Sequence, residues 1–337
     1  MRWLGLVCFV LGLAACQSRP NSAQTIIYKP KYAKGFQISI QNQDTLLDLL
    51  NEKGEITESV SLSAKPKRIA SLSTTCFYFL KELDALSLLV GQGYLDRIHD
   101  EVIPTLTAQN LSENGDLVKE RIMGIQPDMI LAIPFDRQNW KELFPRATVI
   151  NVAEYLEEHP LGRTEWLVAL GYALHKSEEG KKQFESIEQA YHAERINETS
   201  AVAKNVVFAT DNGSDFTVAP KNSFWYILFS DAGGNYLGPE SKGNQNQQIE
   251  GMLSYLHQAD YYGELVYQPE SETIDLVTKR KVFQSTPPFQ RGQLFYSNSA
   301  INQFFDKGVM EPHVMLRDLR AILENNLTHE GVYFKRN

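Results

Sequence analysis

The sequence predicts an α/β protein: two blocks in which helices and parallel strands alternate, joined by one long helix, with a small β extension in front. Three observations predict it. Short apolar runs separated by helix-length segments recur from Lys67 to Leu174, and the same plan returns from Asn205 to Asn325. Between the two blocks, Ser177 to Asn197 reads as a single polar helix whose apolar stripe is only Phe184, Ile187 and Tyr191. A stripe that narrow fits a strut between two lobes. It also fits an ordinary surface helix of one large domain, so the flanking blocks carry the distinction.

Composition sets the bounds. The 337 residues suffice for one large or two medium domains, and 43% hydrophobic residues allow a sizeable core. A formal net charge of −8 argues against nucleic acid as a partner. Residues 1–16 read as an export signal: Arg2 is a basic start, and the apolar run from Trp3 to Ala15 is shorter than the roughly 20 residues a membrane helix needs. The run closes on Leu13-Ala14-Ala15-Cys16, which resembles the lipobox of bacterial lipoproteins. That resemblance implies that Cys16 becomes the lipidated first residue and anchors the chain to a membrane; a plain secretory signal with an incidental Cys16 is the competing reading. With Cys8 removed and Cys16 lipidated, Cys76 stands alone and no internal disulfide forms. Cys76 lies between a strand and a helix, where a thiolate is favoured, but a small buried residue is the stronger reading.

Each element follows in order. Residues 17–63 are a polar tether followed by two to four strands, carried by Phe36, Ile38 and Ile40, then Leu46, Leu47, Leu49 and Leu50, with a turn at Asn51 to Gly54. The first lobe, 64–176, opens with the strand Arg68–Leu72. Ser73 to Thr75 can cap a helix from Cys76 to Leu83. Strands at Ser87–Gly91, Met129–Ile133 and Thr148–Val152 alternate with helices at Val118–Ile125, Trp140–Phe144 and Thr164–Leu174. Continuous apolar strands favour a parallel sheet covered on both faces. The linking helix spans 177–199, with Ser177 as its N-cap, Glu178 and Glu179 in an acidic first turn, and a stop at Asn197 to Ser200.

The second lobe, 200–337, begins with strands at Asn205–Ala209 and Phe216–Val218. Asn222 and Ser223 can cap a helix Phe224–Ala232 that stops at Gly233-Gly234. Residues 238–248 read as a Gly-, Asn- and Gln-rich loop. A helix Ile249–Leu256, a strand Tyr261–Val266, a helix Glu272–Thr278, a last strand Gln293–Tyr296 and a closing helix Pro312–Asn325 complete the chain.

Several stretches together resemble one family. Pro66 to Leu72 is similar to its opening strand and Leu89-Val90-Gly91 to its second. Lys119 to Ile122, then Ile125-Gln126-Pro127-Asp128-Met129-Ile130, is similar to its short helix, Pro-Asp turn and strand. Leu170-Gly171, Asp231 to Gly234, Ile249-Glu250 and Pro312 to Leu323 follow in the family's order. The chain thus resembles the substrate-binding lipoproteins of ABC importers for ferric siderophores, haem and vitamin B12, over about Lys65 to Leu323. The resemblance implies two Rossmann-like lobes joined by a single helix, a ligand held between them, and an ABC permease with its ATPase as partner. It further implies that Glu120 and Glu250, one per lobe, dock to arginines of that permease. Without it they read as two solvated helix glutamates. Residues 25–63 and the amide-rich Asn244 to Gln248 lie outside the family's pattern.

The ligand surface of such lobes is expected at loops beyond the carboxyl ends of the strands. These loops offer Ser73 and Thr74, Tyr94 with Asp96, Phe135 with Asp136, Asn212 with Asp215 and Phe216, then Lys221, Asn222 and Trp225, and near Tyr296 a weaker addition. The hydroxyls and amides suit polar groups, and Tyr94, Phe135, Phe216 and Trp225 suit a flat macrocycle or catecholate; Phe216 and Trp225 fit lobe core equally well. Lys221 is the one cation in these loops, against Asp96, Asp136 and Asp215, which disfavours an anionic siderophore and mildly favours a neutral or cationic complex such as a corrinoid. For haem, Tyr94 or Tyr296 would be the axial candidates, with no histidine in these loops. No nucleophile elbow, P-loop, His-Glu-x-x-His or CxxC occurs, and Gly91-Gln92-Gly93 lacks the third glycine of a dinucleotide fingerprint. The expectation is therefore a non-enzymatic, lipid-anchored receptor of the cell envelope, without a resident cofactor, whose ligand is itself a metal complex. A bilobed enzyme of the chelatase or metal-cofactor type, or an accessory lipoprotein without transport, are the competing classes.

Overall fold

The computed structural model describes residues 24–136, 138–196, 203–241 and 243–337. The export signal, Cys16 and the stop expected at Asn197 to Ser200 lie outside the described residues. The chain opens with a four-stranded antiparallel meander: β1 (Thr25–Tyr28), β2 (Phe36–Gln41), β3 (Asp44–Leu50) and β4 (Ile56–Ser61), in that order. It is bolted to the lobe behind it by two buried carboxylates. Glu165 accepts hydrogen bonds from the Tyr28 hydroxyl and from the backbone N–H groups of Lys31, Tyr32 and Ala33. Glu157 accepts from the Lys34 and Gly35 N–H groups and from the Trp166 indole. Satisfying these carboxylates is what lets them sit buried.

The first lobe follows: β5 (Ile69–Ser71), α1 (Thr74–Glu82), β6 (Leu89–Gln92), β7 (Gln109–Asn110), the hairpin β8 (Ser112–Glu113) and β9 (Asp116–Leu117), α2 (Lys119–Gly124), β10 (Met129–Ala132), α3 (Trp140–Leu143) and β11 (Thr148–Asn151). Its sheet is parallel throughout, in the order β11-β10-β5-β6-β7. Both faces are covered. Ile69, Met129, Leu131 and Ile150 pack with α1 and the β meander on one side, and Ala70, Ile130, Ala132 and Val149 pack with Ile122 and Trp140 on the other. That two-sided burial is why the strands read as continuous apolar runs.

Helix α4 (Pro160–Ala173) begins four residues before the sequence suggests, because Pro160 occupies its first position and the His159 imidazole caps it by accepting from the Leu161 N–H. The linking helix α5 (Ser177–Glu194) then packs on α4 and on the closing helix α10 (Pro312–Leu323). Its N-cap is Lys176 rather than Ser177, which forms the first turn instead, and it ends at Glu194, with Arg195 as its C-cap, short of the expected stop. Gly171 and Gly180 explain how α4 and α5 approach: a Cβ on Gly180 would lie 3.1 Å from the Leu167 carbonyl and 3.2 Å from the Gly171 Cα. Phe184 and Tyr191 are buried as the narrow stripe requires.

The second lobe holds β12 (Lys204–Asp211), β13 (Phe216–Val218), α6 (Phe224–Asp231), β14 (Gly234–Tyr236), β15 (Gln245–Gln247), α7 (Ile249–Leu256), β16 (Tyr261–Val266), α8 (Leu276–Lys279), α9 (Pro287–Gln290), β17 (Leu294–Asn298), α10 and β18 (Lys335–Arg336). Strands β14, β12, β16 and β17 are parallel; β13, β15 and β18 add antiparallel edges. Several local readings change. The region read as a loop at 238–248 contains the edge strand β15, because Gln245, Asn246 and Gln247 pair with β13. β14, just before that region, is a strand the sequence reading does not mark. The helix read over 272–278 shrinks to α8, where Asp275 caps Thr278. β17 is followed by one more strand, β18. The architecture is the two-lobed α/β fold with one connecting helix.

Among the described residues no helix is long and apolar enough to cross a membrane. A second crossing joins the lobes besides α5. The segment after β17 returns to the first lobe, where Val309 and Met310 enter its core and the Thr164 hydroxyl donates to the Val309 carbonyl at 2.7 Å.

Candidate functional site

A cleft of about 840 Å³ lies between the lobes. The first-lobe wall is built from strand ends, as parallel sheets dictate. The turn after β5 brings Ser73, Thr74 and Thr75. The turn after β6 brings Tyr94, Asp96, Arg97 and His99. Ile133 and Phe135 follow β10, and Glu154 and Tyr155 follow β11; Arg163 enters from α4. The opposite wall comes from Tyr267, after β16, and from Ser299, Ala300, Gln303, Phe305 and Asp306, after β17.

Aromatic rings dominate the mouth. Phe135 is 66% exposed, Tyr267 77% and Phe305 45%, unusual values for large rings and suited to closing on an apolar face. Phe135 meets Tyr155 edge-on at 5.4 Å. Tyr94 has φ 55°, a left-handed conformation that is costly for a residue with a Cβ, and its N–H donates to the Ser112 hydroxyl. The Arg97 guanidinium lies 4.8 Å from the Tyr94 ring centre.

The floor is polar and joins the lobes. Thr74 donates to the Asp306 carboxylate and Thr75 to the Phe305 carbonyl. Gln303 accepts from the Tyr78 hydroxyl and donates to the Arg97 carbonyl. Burial pushes the Asp306 carboxyl up, against the Thr74 hydrogen bond and the Arg97 charge. Burial also pushes Glu154 up, to about 7, although the Thr75 hydroxyl and Arg163 pull the other way. Glu154 is 3% exposed and its Oε2 has no hydrogen-bond partner. Arg163 donates to the Tyr155 and Glu157 carbonyls, with its guanidinium 4.0 Å from the Phe224 ring centre.

The candidates named from sequence divide by lobe. Ser73, Thr74, Tyr94 and Phe135 line the cleft together, as does Asp96. Asp136 turns away, accepting from the Trp140 indole in a neighbouring recess. None of the second-lobe candidates reaches the cleft. Phe216 is buried between Phe283 at 5.5 Å and the Arg280 guanidinium at 4.8 Å. Trp225 is partly buried, stacking on Phe304 at 5.2 Å and meeting Phe208 at 4.5 Å where it packs against the lobe core. Lys221 pairs with Glu240, Asn222 is exposed beside it, and Asn212 bonds to Asp215 and Thr217. Tyr296 borders a separate recess of about 220 Å³ with Val332 and Tyr333.

The expected charge pattern changes accordingly. Lys221 is not the cleft's cation; Arg97 and Arg163 are, facing Asp96, Glu154 and Asp306, and His99 places a histidine there too. The residues missed at 154–155, 267 and 299–306 all follow strands, so the same strand-end rule would have found them. Nothing local marks Arg163. Among the described residues, no group of three His, Cys, Asp or Glu side chains is arranged to hold a metal ion. Cys76 is fully buried, and burial raises its thiol, which fits the structural reading. Glu120 and Glu250 are exposed in the first turns of α2 and α7, and neither forms an ion pair among the described residues. Each helix leads directly into a parallel strand, so these first turns sit at the strands' carboxyl-end level.

The family described as "Periplasmic binding protein" matches residues 69–296. No curated protein sequence matches the chain. Solved structures do. A possible iron-binding, periplasmic solute-binding protein of Staphylococcus epidermidis is 17% identical with a TM-score of 0.63, covering 77% of this chain and 99% of that one. A periplasmic haem binding protein of Pseudomonas aeruginosa is 16% identical with a TM-score of 0.62, covering 81% and 98%. The periplasmic vitamin B12 binding protein of Vibrio cholerae is 14% identical with a TM-score of 0.57, covering 78% and 99%.

Proposed function

This chain belongs to the periplasmic binding protein family, and we propose that it captures an iron complex or a corrinoid in the inter-lobe cleft and delivers it to an ABC importer permease. The observation that carries the reading is the cleft itself. At about 840 Å³ it is in the size range of small-molecule sites, and exposed rings from both lobes flank it. The similar structures named for iron, haem and vitamin B12 support the same class of ligand. In this reading Ser73, Thr74, Tyr94 and Phe135 touch the ligand from the first lobe, and Tyr267, Gln303 and Phe305 touch it from the second. Phe216, Trp225, Lys221, Asn222 and Tyr296 have no place in it. The chemistry is binding and release; no covalent step is required.

Delivery rests on Glu120 and Glu250, two exposed carboxylates carried one per lobe, which give a two-point register on a basic partner. Cys16 carries the lipid that holds the protein at the periplasmic face of a membrane. The lobes are taken as 64–176 and 200–337 with 177–199 between them. The second crossing at 303–311 adds to the linking helix, so opening is a small hinge motion.

The test is a titration of the purified protein with cobalamin, haemin and several ferric siderophores, following tryptophan fluorescence. Saturable binding of at least one is expected; binding of none would overturn the reading. Charge reversal of Glu120 and Glu250 together is expected to abolish uptake in cells while ligand affinity stays within about twofold, since neither side chain lines the cleft. A matching loss of affinity would remove the docking assignment.

A further inference from the structure

We propose that Glu154 is the polar anchor at the floor of the cleft and that it selects chelates presenting an ammonium, N–H or O–H donor at that point. The proposal rests on the cleft being the ligand site. Four observations carry it. Glu154 borders the cleft but is 3% exposed, and one of its carboxyl oxygens, Oε2, has no partner. A buried carboxylate oxygen left unpaired is costly when charged, so a donor arriving there is strongly favoured. Asp306 and Asp96 border the same cleft, so a positive group at the floor has further acids nearby. The cations do not neutralise Glu154 directly: Arg163 is occupied by the Tyr155 and Glu157 carbonyls, and Arg97 lies on the Tyr94 ring.

The groups around Glu154 come from several elements. Thr75 and the Cys76 thiol face it from α1, Arg163 from α4, Asp306 from the second lobe, and Tyr155 follows it in the chain. Burial outweighs Arg163 and keeps the carboxyl protonated up to about pH 7 in the empty cleft. A cationic ligand group favours the ionised form, so its capture releases a proton at mildly acidic pH and tightens as pH rises through that range. A protonated carboxyl has one oxygen left to accept and offers nothing to an anion that Arg97 does not offer better.

The experiment uses one ferric trihydroxamate in three forms: with a free terminal ammonium, with that amine acetylated, and with it succinylated. Affinities are measured at pH 5.5 and 8 for the wild-type protein and for Glu154→Gln. The wild type is expected to prefer the ammonium form over the succinyl form by at least tenfold at pH 8, and by less at pH 5.5. In Glu154→Gln the preference is expected to fall at least fivefold and to lose its pH dependence. Glu154→Gln is close in size, and circular dichroism checks its fold. Carboxyl 13C NMR of the wild type gives an independent readout: one glutamate titrating near neutrality, shifted downward by the ammonium form. A preference that Glu154→Gln leaves unchanged, or a Glu154 carboxyl that ignores the ligand, overturns the proposal and leaves the cleft reading standing. Failure of all three forms and of every other chelate to bind overturns both.

Discussion

The first lobe leaves the carboxyl ends of β5, β6, β10 and β11 open, and all four contribute side chains to the cleft. In the second lobe the cleft draws on the ends of β16 and β17. The end of β12 is covered by the segment from α8 onward, where Arg280 and Lys279 pair with Asp211 and with the fully buried Glu264, and Phe283 closes on Phe216. One topological rule thus has two outcomes. A strand end becomes a binding surface only where no later segment has reason to cover it, and here a buried ion network supplies the reason.

That contrast can be broken, beginning at its strongest point. Arg280→Ala strands Glu264 with Lys279 as its one remaining cationic partner and should lower stability by about 3–5 kcal/mol, read as the shift in chemical denaturation. A shift below about 1 kcal/mol would mean the network does not hold the cover in place. Trp225→Ala should cost about 3 kcal/mol by opening a cavity among Phe208, Phe304 and Phe229, while the folded fraction keeps its ligand affinity. Loss of affinity without loss of stability would return Trp225 to the cleft.

The floor gives a prediction of similar size that depends on pH. Below about pH 4.5 the Glu154 carboxyl is protonated whether the chain is folded or not. As pH rises toward 7 the unfolded chain ionises there and the folded one does not, so stability falls across that window and then levels. The difference amounts to about 3 kcal/mol, and Glu154→Gln should remove that part of the slope. Denaturation at pH 4.5 and 8 measures it; parallel curves for wild type and variant would refute it. Smallest in stability is the mouth. Phe135→Ala and Tyr267→Ala should each cost less than about 0.5 kcal/mol, because both rings face solvent. Each should nevertheless weaken ligand binding about tenfold by calorimetry. The pairing of Trp225 with Phe135 therefore separates a core aromatic from a binding aromatic by opposite readouts.

The legible part of the site has a local basis. Ser73, Thr74, Tyr94 and Phe135 follow strands whose apolar runs are plain in the sequence, and the Pro127-Asp128 turn fixes where β10 starts. The same rule extends to Tyr267 after β16 and to 299–306 after β17, strands whose apolar runs are equally plain. Phe216 and Trp225 fail for another reason. An aromatic beside a turn looks the same whether it faces a cleft or a neighbouring helix, and only Phe283, Arg280 and Phe304, distant along the chain, decide between them. The antiparallel meander at 25–61 was visible as alternation, but its attachment was not, because Glu157 and Glu165 look like ordinary helix-region acids until loop 28–35 is laid over them.

The apolar parallel strands β5, β6, β10, β11, β12, β16 and β17, the polar linking helix and the exposed positions of Glu120 and Glu250 were determined by the sequence alone, since periodicity and turn chemistry act over a few residues; the edge strands were not. Which loops stay open, which cations reach the cleft and how far Glu154 is buried were decided only in the tertiary structure. Covering and desolvation are set by segments that meet far apart along the chain, as Thr74 meets Asp306 and Phe216 meets Phe283, and no local pattern records that meeting.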